Sequence, residues 1–398
     1  MGGLRWVTLL VAAAVTAGPG VGVRPEPTGS AQAVRVRVLV ETGQRGPGGT
    51  VFSELSDPSI NNLGDVAFGA VSSPPSVREA LYIISKGRLT RVVASGDPAP
   101  SGGRFTSFSD VQLSDRGTLV FLGRTTDRVG RLGLYLARQG RITPVAVTGQ
   151  PAPSGGTFTD FANPTINSRD VVAFVGRTQG REGIFRSSEG AVAPAVLAGT
   201  PSPSGGEFQF FLDSSPAQNN RGEIAFVAST TTQAQGVYVL VGGRSATVAT
   251  TDDVAPTGSL FTEFGFVTMT DAGTVGFVGR TARGTPREAL YVTGRTELLP
   301  LARQGQQVGG EVLTTFVNTA MDSQEDVVFE PGTPDPIPRA VYVASRAGVR
   351  PLLVAGAPAP GGRHFRAFST PSLNDRGQVA LVAETDDGRH GIYVVTFR

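Results

Sequence analysis

Residues 96–123 read GDPAPSGGRFTSFSDVQLSDRGTLVFLG, and this stretch contains the pattern that repeats along the whole chain. It begins with a loop, Gly96–Gly103, because glycine and proline interrupt both helices and strand ladders. A short apolar strand follows and ends at Leu113. The next four residues, Ser114–Gly117, predict a tight turn that closes on a glycine able to adopt positive φ. Thr118–Gly123 then predicts a second strand.

Seven copies of this pattern follow one another at intervals of 50 to 53 residues. The loops begin at Gly43, Gly96, Gly149, Gly199, Asp252, Gly305 and Gly356. The second strands share an aromatic or aliphatic position: Phe68, Phe121, Phe174, Phe226, Phe277, Phe329 and Leu381. The third strands share another: Tyr82, Tyr135, Phe185, Tyr238, Tyr291, Tyr342 and Tyr393. All six tyrosines of the chain stand in that last set, so the repeat is a structural unit.

Each unit predicts four short strands and no helix. The second strands are almost continuously apolar, as in Val171–Val175, which is typical of strands covered on both faces. The fourth strands contain Pro144, Pro194, Pro300 and Pro351, and proline belongs on an edge strand because it cannot donate to a ladder. We therefore predict an all-β, seven-bladed β-propeller with four-stranded blades over residues 34–398. An open β-solenoid is the alternative, but the sequence shows no capping repeats.

The two ends of the repeat region predict how the ring closes. The last repeat ends with its third strand, Gly391–Phe397, and has no fourth strand after it. Val34–Val40 alternates in character and precedes the first loop. We predict that Val34–Val40 pairs with Gly391–Phe397 and closes the ring, which also removes an open sheet edge.

Residues 1–33 predict a signal peptide. Arg5 supplies the positive charge, and Trp6–Ala17 is an apolar run that is too short to span a bilayer as a stable helix. Ala33 fits a cleavage site, with Ala17 as an earlier alternative. The predicted location is secreted or periplasmic, with no stable membrane span after cleavage. An uncleaved membrane anchor is the alternative.

Composition narrows the classes of function. The chain has 398 residues, of which 39% are hydrophobic and 17% charged, so it can build a large core. A net charge of +2 without a dense basic block argues against a nucleic-acid partner. The chain has no cysteine, which excludes disulfides, thiol nucleophiles and thiolate metal sites.

The turn and second strand contain the pattern Asn-x-x-Gly-x-x-x-Phe. Asn219, Gly222 and Phe226 show it, as do the corresponding residues of the first repeat, Asn61, Gly64 and Phe68. The chain resembles the bacterial tandem-repeat proteins named for an NxxGxxxF motif, and the resemblance covers all seven repeats. It implies architecture and location, with no activity attached. Departures from the motif are Ser114, Thr270 and Asp322 for asparagine, Asp170 and Glu325 for glycine, and Leu381 for phenylalanine.

Two sets of residues are candidate ligand-binding groups, and we expect both on the propeller face that carries the long loops. One set follows the second strands: Arg124, Arg177 and Arg280 in a repeated Gly-Arg-Thr. These guanidinium groups would suit an acidic glycan or another anion. The alternative is ordinary surface arginine, partly paired with Glu79, Glu182 and Glu288.

The other set stands at the entry of the first strands: Asp57, Asp110, Asn163, Ser215, Asn318 and Thr370, with Phe266 in the fifth repeat. These polar residues would line the central channel. The alternative is a local role beside the prolines that follow several of them.

The sequence predicts no catalytic residues, no cofactor and no metal site. The only two histidines, His364 and His390, lack the spacing of a metal site, although Asp386 and Asp387 lie near them in the chain. Three functions stay open. The first is a non-catalytic binding module for a glycan or a protein partner. The second is a propeller glycoside hydrolase, lyase or sialidase, with Asp57 and Asp110 as a possible carboxylate pair. The third is a structural component of the cell envelope.

Overall fold

The computed structural model describes residues 7–9, 34–73, 78–127, 131–212, 216–283, 286–294, 297–332 and 339–398. In these ranges the chain forms β strands and turns, and no helix is long and apolar enough to cross a bilayer. Of the predicted signal peptide, only Val7–Leu9 belongs to the described residues, so that prediction otherwise lies outside them.

Seven antiparallel sheets form the seven blades of a β-propeller, as the repeat predicts. Within a blade the strands follow chain order, and the first strand lies at the central channel. The first strand is in two pieces in blades one, four and seven. The strands of blades one to three are Val51–Leu55, Ser59–Ile60, Val66–Ser73, Arg78–Ser85 and Arg88–Ala94; Phe105–Leu113, Leu119–Thr125, Leu132–Arg138 and Arg141–Val147; and Phe158–Ile166, Val172–Thr178, Glu182–Ser188 and Ala191–Leu197. Those of blades four to six are Phe208–Phe211, Ala217–Gln218, Ile224–Thr230, Gln235–Val241 and Arg244–Thr250; Phe261–Met269, Val275–Thr281, Glu288–Thr293 and Leu298–Arg303; and Thr315–Met321, Val327–Gly332, Ala340–Ser345 and Gly348–Val354. A small hairpin, Gln307–Val308 with Glu311–Val312, precedes blade six.

Blade seven is built from both ends of the chain. Its inner strands are Arg363–Phe368, Ser372–Leu373, Gln378–Thr385 and His390–Thr396, with Pro358–Ala359 paired to the first of them. Its outer strand is Val34–Glu41, which runs antiparallel to His390–Thr396 and places Val36 opposite Val395. Val34, Val36 and Val40 are buried there. Val7–Leu9 adds a short strand outside Val34–Val36.

Each blade has an aromatic core that the repeat specifies. In blade two, Phe105 meets Tyr135 edge-on with ring centroids 5.1 Å apart, and Phe121 stacks on Tyr135 at 5.6 Å. The tyrosine hydroxyl is satisfied by the long loop, because it lies 2.6 Å from Ser101 Oγ. Tyr238 and Ser204 repeat this contact at 2.7 Å in blade four. In blades two and four a serine of the long loop therefore binds the tyrosine of the third strand.

Blade three has phenylalanine where the other blades have tyrosine. Phe185 leaves the buried Oγ of Ser154 with no hydrogen-bond partner among the described residues. Phe185→Tyr should restore the missing bond and raise the free energy of unfolding by about 1 kcal/mol. Urea unfolding of the two proteins measures this difference. Adding Ser154→Ala to Phe185→Tyr should remove the gain. A Phe185→Tyr protein no more stable than the parent would refute the assignment.

The asparagine of the turn motif joins neighbouring blades. Asn61 Oδ1 accepts the amides of Leu63 and Asp65 at 3.0 and 2.9 Å, which shapes its own turn. Asn61 Nδ2 donates to the carbonyl of Ser114, the equivalent residue of the next blade, at 3.0 Å. Three further asparagines bridge in the same way: Asn167 to Asn219, Asn219 to Thr270 and Asn374 to Asn61. All four asparagines are buried, so losing a bridge would leave polar atoms unsatisfied.

The departures from the motif are compensated across the blade joints. Ser114 in blade two donates its hydroxyl to Asp170 of blade three at 2.7 Å, and Asp170 stands where the motif has glycine. Between blades five and six, Thr274 donates to Glu325 at 2.8 Å, and Glu325 also replaces the motif glycine. Both acids keep the positive φ of that glycine, at 62° and 66°. At the sixth joint, Asp322 pairs with the guanidinium of Arg398 from blade seven.

Because Ser114 and Asp170 form one bridge, changing both to the motif residues should cost less than the sum of the single changes. We expect Ser114→Asn with Asp170→Gly to show a favourable coupling of about 1 kcal/mol in a double-mutant cycle. The free energies of unfolding of the four proteins provide the measurement. Simple additivity would show that the two positions are independent.

Candidate functional site

The central channel contains a cavity of about 930 Å³, within the range of small-molecule binding sites. The first strands of the blades form its wall. The turns that follow these strands form one end of it. All seven blades contribute to the lining, so the ring positions the site as a whole. The cavity therefore extends to the tight turns. From the sequence we expected a site on the opposite face, which carries the long loops.

The predicted polar ring lies in the channel wall. Asp57, Asp110, Asn163 and Asn318 all line the cavity, together with Thr370 and the predicted exception Phe266. Ser215 lies outside the described residues. The ring stands in the middle of the long first strands rather than at their entry.

A bulge or a break in each inner strand explains this placement. Asp110 and Asn163 have φ of 52° and 45°, and the pairing register shifts around each of them. Phe266 and Asn318 show the same positive φ and register shift. In blades one and seven the strand is interrupted instead, at Asp57 and Thr370, each followed by a proline. The bulge turns the residue out of the ladder, as bulges commonly do beside binding sites.

A second ring, at the turn end of the channel, was not predicted. It consists of the residue after each motif asparagine position: Asn62, Asp115, Ser168, Asn220, Asp271, Ser323 and Asp375. Asp115 accepts the amide of Asn62 at 2.8 Å, and Asp271 accepts that of Asn220 at 2.8 Å. The sequence pattern that could have revealed this ring is the polar residue at this position in all seven repeats.

The lining of the cavity is acidic. Its carboxylate residues are Glu54, Asp57, Glu79, Asp110, Asp115, Asp271, Asp322 and Asp375. The described residues of the lining include no lysine, arginine or histidine. Amide groups of Asn163, Asn318 and Gln218 and the hydroxyl group of Thr370 also belong to the lining. The channel therefore favours hydrogen-bond donors and positive charge over anions.

The predicted arginines lie outside this lining, and the structure shows the pairing that was the alternative for two of them. Arg280 contacts Glu288 at 2.7 Å and Glu263 at 2.8 Å. Arg177 contacts Asp160 at 3.1 Å and Glu182 at 3.7 Å. Arg124 holds the equivalent position in blade two, where Leu132 replaces the third-strand glutamate.

The glutamates of the third strands link neighbouring blades. Glu288 Oε1 accepts the amide of Phe316 in the next blade at 2.7 Å, and Glu182 accepts that of Phe211 at 3.3 Å. Each glutamate thus ties its blade to the first strand of the next blade. The arginine neutralises the carboxylate, and Glu288 and Glu263 hold the pKa of Arg280 above its usual value.

The histidines form a separate surface feature. His364 Nδ1 lies 3.1 Å from an oxygen of Asp386, and both side chains are more than half exposed. In the ranges that the structure describes, no group of three or more histidine, aspartate or glutamate side chains is arranged to hold a metal ion.

Glu330 is a buried acid behind the polar ring. It is 2% exposed and stands where the other blades have small or apolar residues: Gly69, Leu122, Val175, Val227, Val278 and Val382. Asn318 Nδ2 donates to its Oε2 at 3.2 Å, and its Oε1 has no partner among the described residues. Burial raises the pKa of Glu330 to about 7, the bond from Asn318 lowers it, and the charge of nearby Asp57 raises it.

This pKa predicts a pH-dependent stability. The folded protein keeps the Glu330 proton between pH 4.5 and about 7, while the unfolded chain has lost it, so stability falls as pH rises through this window. Relative to Glu330→Gln, which cannot titrate, the parent should lose roughly 3 kcal/mol between pH 4 and pH 8. Urea unfolding of both proteins at several pH values measures the loss. A constant difference between the two proteins would mean that Glu330 titrates normally.

The fold and the channel define a seven-bladed β-propeller protein with a ligand-sized central cavity. The chain belongs to a family of unknown function, DUF7453, whose profile matches residues 9–182 and 131–394. No curated protein matches the chain.

Two solved structures illustrate the similarity in fold. One is the β-propeller domain of the Trilobed protease from Pyrococcus furiosus, described as having an open velcro topology. Its TM-score is 0.55 at 12% identity, with 86% of this chain and 95% of that chain covered. The other is a puromycin-hydrolyzing peptidase of Mycobacterium tuberculosis, with a TM-score of 0.50 at 15% identity. That match covers 83% of this chain and 50% of the peptidase, so the chain spans half the peptidase's length. At these identities the likeness shows the fold alone.

Proposed function

We propose that the chain is an exported, non-catalytic binding module whose central channel holds a polar ligand, either neutral or positively charged. The observation that carries this proposal is the acidic, amide-rich lining, which has no basic side chain among its described residues. A neutral glycan or a ligand with cationic groups would donate hydrogen bonds to these oxygens. An anionic ligand would meet like charges from several blades.

Repetition of the carboxylates supports binding rather than catalysis. Asp57 and Asp110 occupy the same position in successive blades. Asp115, Asp271 and Asp375 likewise share one position, and each accepts a hydrogen bond from a neighbouring blade. A catalytic pair needs two acids in different environments, so that one is protonated while the other is ionised. Residues repeated by symmetry are better suited to a shared role in holding a ligand.

Export is supported by the sequence of residues 1–33. A charged start, an apolar run and a small-residue cleavage site at Ala33 are typical of secretory signals. Cleavage there would leave Val34 as the first residue of the blade-seven strand. The likeness of the repeats to bacterial NxxGxxxF proteins supports a secreted or periplasmic location as well.

The experiment is a binding screen on residues 34–398, read by thermal shift and then by calorimetry. Neutral oligosaccharides and organic cations should give saturable stabilisation, whereas acidic oligosaccharides should give none. Asp110→Asn combined with Asn163→Ala should weaken a binding ligand about tenfold or more, because two channel contacts are lost. Arg124→Gln is the matched control outside the channel.

The same variants decide between the two candidate surfaces. Loss of binding in Arg124→Gln, with the channel variant unaffected, would place the site on the arginine surface and contradict the channel. Binding of acidic oligosaccharides alone would do so too.

A further inference from the structure

Blades three and five each hold a guanidinium between two carboxylates. In blade five, Arg280 of the second strand lies between Glu263 of the first strand and Glu288 of the third, in contact with both. The register places Glu263, Arg280 and Glu288 side by side across three strands. In blade three, Asp160, Arg177 and Glu182 repeat the arrangement. The same acid–arginine–acid arrangement therefore occurs in two blades.

Blade one has the two acids without the arginine. Glu54, Val71 and Glu79 occupy the three equivalent positions, and the strand register is the same. No basic side chain within the described residues pairs with Glu54 or Glu79. Two carboxylates thus flank a position where a valine replaces a guanidinium.

Glu79 is oriented as its counterparts are. Its Oε1 accepts the amide of Phe108 in the next blade at 2.8 Å, as Glu288 Oε1 accepts Phe316. In Glu288 the other oxygen, Oε2, accepts Nε of Arg280 at 2.7 Å. The corresponding Oε2 of Glu79 has no donor among the described residues. Burial raises the pKa of Glu79, whereas the bond from Phe108 lowers it, as expected for an acid that lacks its counter-ion.

The position is open to the channel. Glu54, Val71 and Glu79 all belong to the lining of the cavity, together with Gly69, which replaces the larger side chains of other blades. The acid–arginine–acid units of blades three and five are not part of that lining. Only in blade one does the cavity reach the space beside the two acids.

We propose that Glu54 and Glu79 form a subsite for the guanidinium group of a ligand, which takes the place that Arg177 and Arg280 occupy in their own blades. The subsite rests on the proposed binding function and specifies one group of its ligand. A planar guanidinium can bond both carboxylates at once, as the arginines of the other blades do. The source is either a small guanidinium compound or an arginine side chain of a peptide.

The test uses agmatine and the capped peptide Gly-Arg-Gly as probes, in calorimetry at constant ionic strength. Wild-type protein should bind at least one probe at a single site. Val71→Arg rebuilds the internal unit and should weaken that binding about tenfold or more, whereas Val71→Leu, which adds bulk without charge, should change it little. Binding of the peptide but not agmatine would identify a polypeptide ligand, and the reverse a small molecule.

Two further variants distinguish loss of the subsite from misfolding of the Val71→Arg protein. Glu54→Gln with Glu79→Gln should also abolish binding. Arg280→Val creates a second pair of acids without its arginine, so agmatine should restore the stability lost in that variant. Absence of probe binding to the wild type, or equal binding to Val71→Arg, would overturn the subsite. A neutral oligosaccharide that still binds the channel in that case would leave the proposed function intact.

Discussion

The ring depends on hydrogen bonds that run from one blade to the next. Backbone ladders hold each blade together, but they end at the edge of each sheet, so the bonds between the turns of neighbouring blades depend on side chains. The buried asparagine amide supplies a directional bond at four of the seven joints, and Ser114, Thr274 and Asp322 supply the others. Apolar packing between blades is strong but tolerant of sliding, whereas a buried hydrogen bond has one satisfactory geometry. The bridges therefore fix how far each blade is rotated against the next.

The channel is a product of that fixed rotation. Each bridged turn points its next residue toward the axis, which is why a second polar ring appears at one end of the cavity. The bulges in the inner strands add the first ring. A ligand in the channel would contact groups that the fold already holds in place. Binding would therefore cost little additional side-chain entropy.

Much of the architecture could be predicted from the sequence because it is periodic. The aromatic positions, the turn residues and the edge prolines repeat at blade spacing. The strands and turns predicted in one repeat are therefore supported by the same pattern in the others. The location of Asp110 in a bulge could not be predicted, because positive φ at a non-glycine residue has no clear sequence signal. The bridging role of Asn61 was also missed, since the pattern reveals its turn but not its neighbour in the next blade. For Arg177 and Arg280 the sequence left both a binding surface and pairing with Glu182 and Glu288 open, because it does not show which side chains face each other across three strands.

Blade seven draws its outer strand from residues 34–41 and its inner strands from residues 363–396. Tyr393 donates its hydroxyl to Glu41, a contact that spans 352 positions of sequence. Among the strands of the ring, Val34–Glu41 is synthesised first, and its blade-seven partner, His390–Thr396, is made only after the strands of the other six blades. Six blades can assemble from local hairpins in that interval, whereas the seventh must wait. The alternation of Arg35 and Arg37 with valines suits a strand that has to stay soluble while it waits, since flanking charge discourages pairing with another chain.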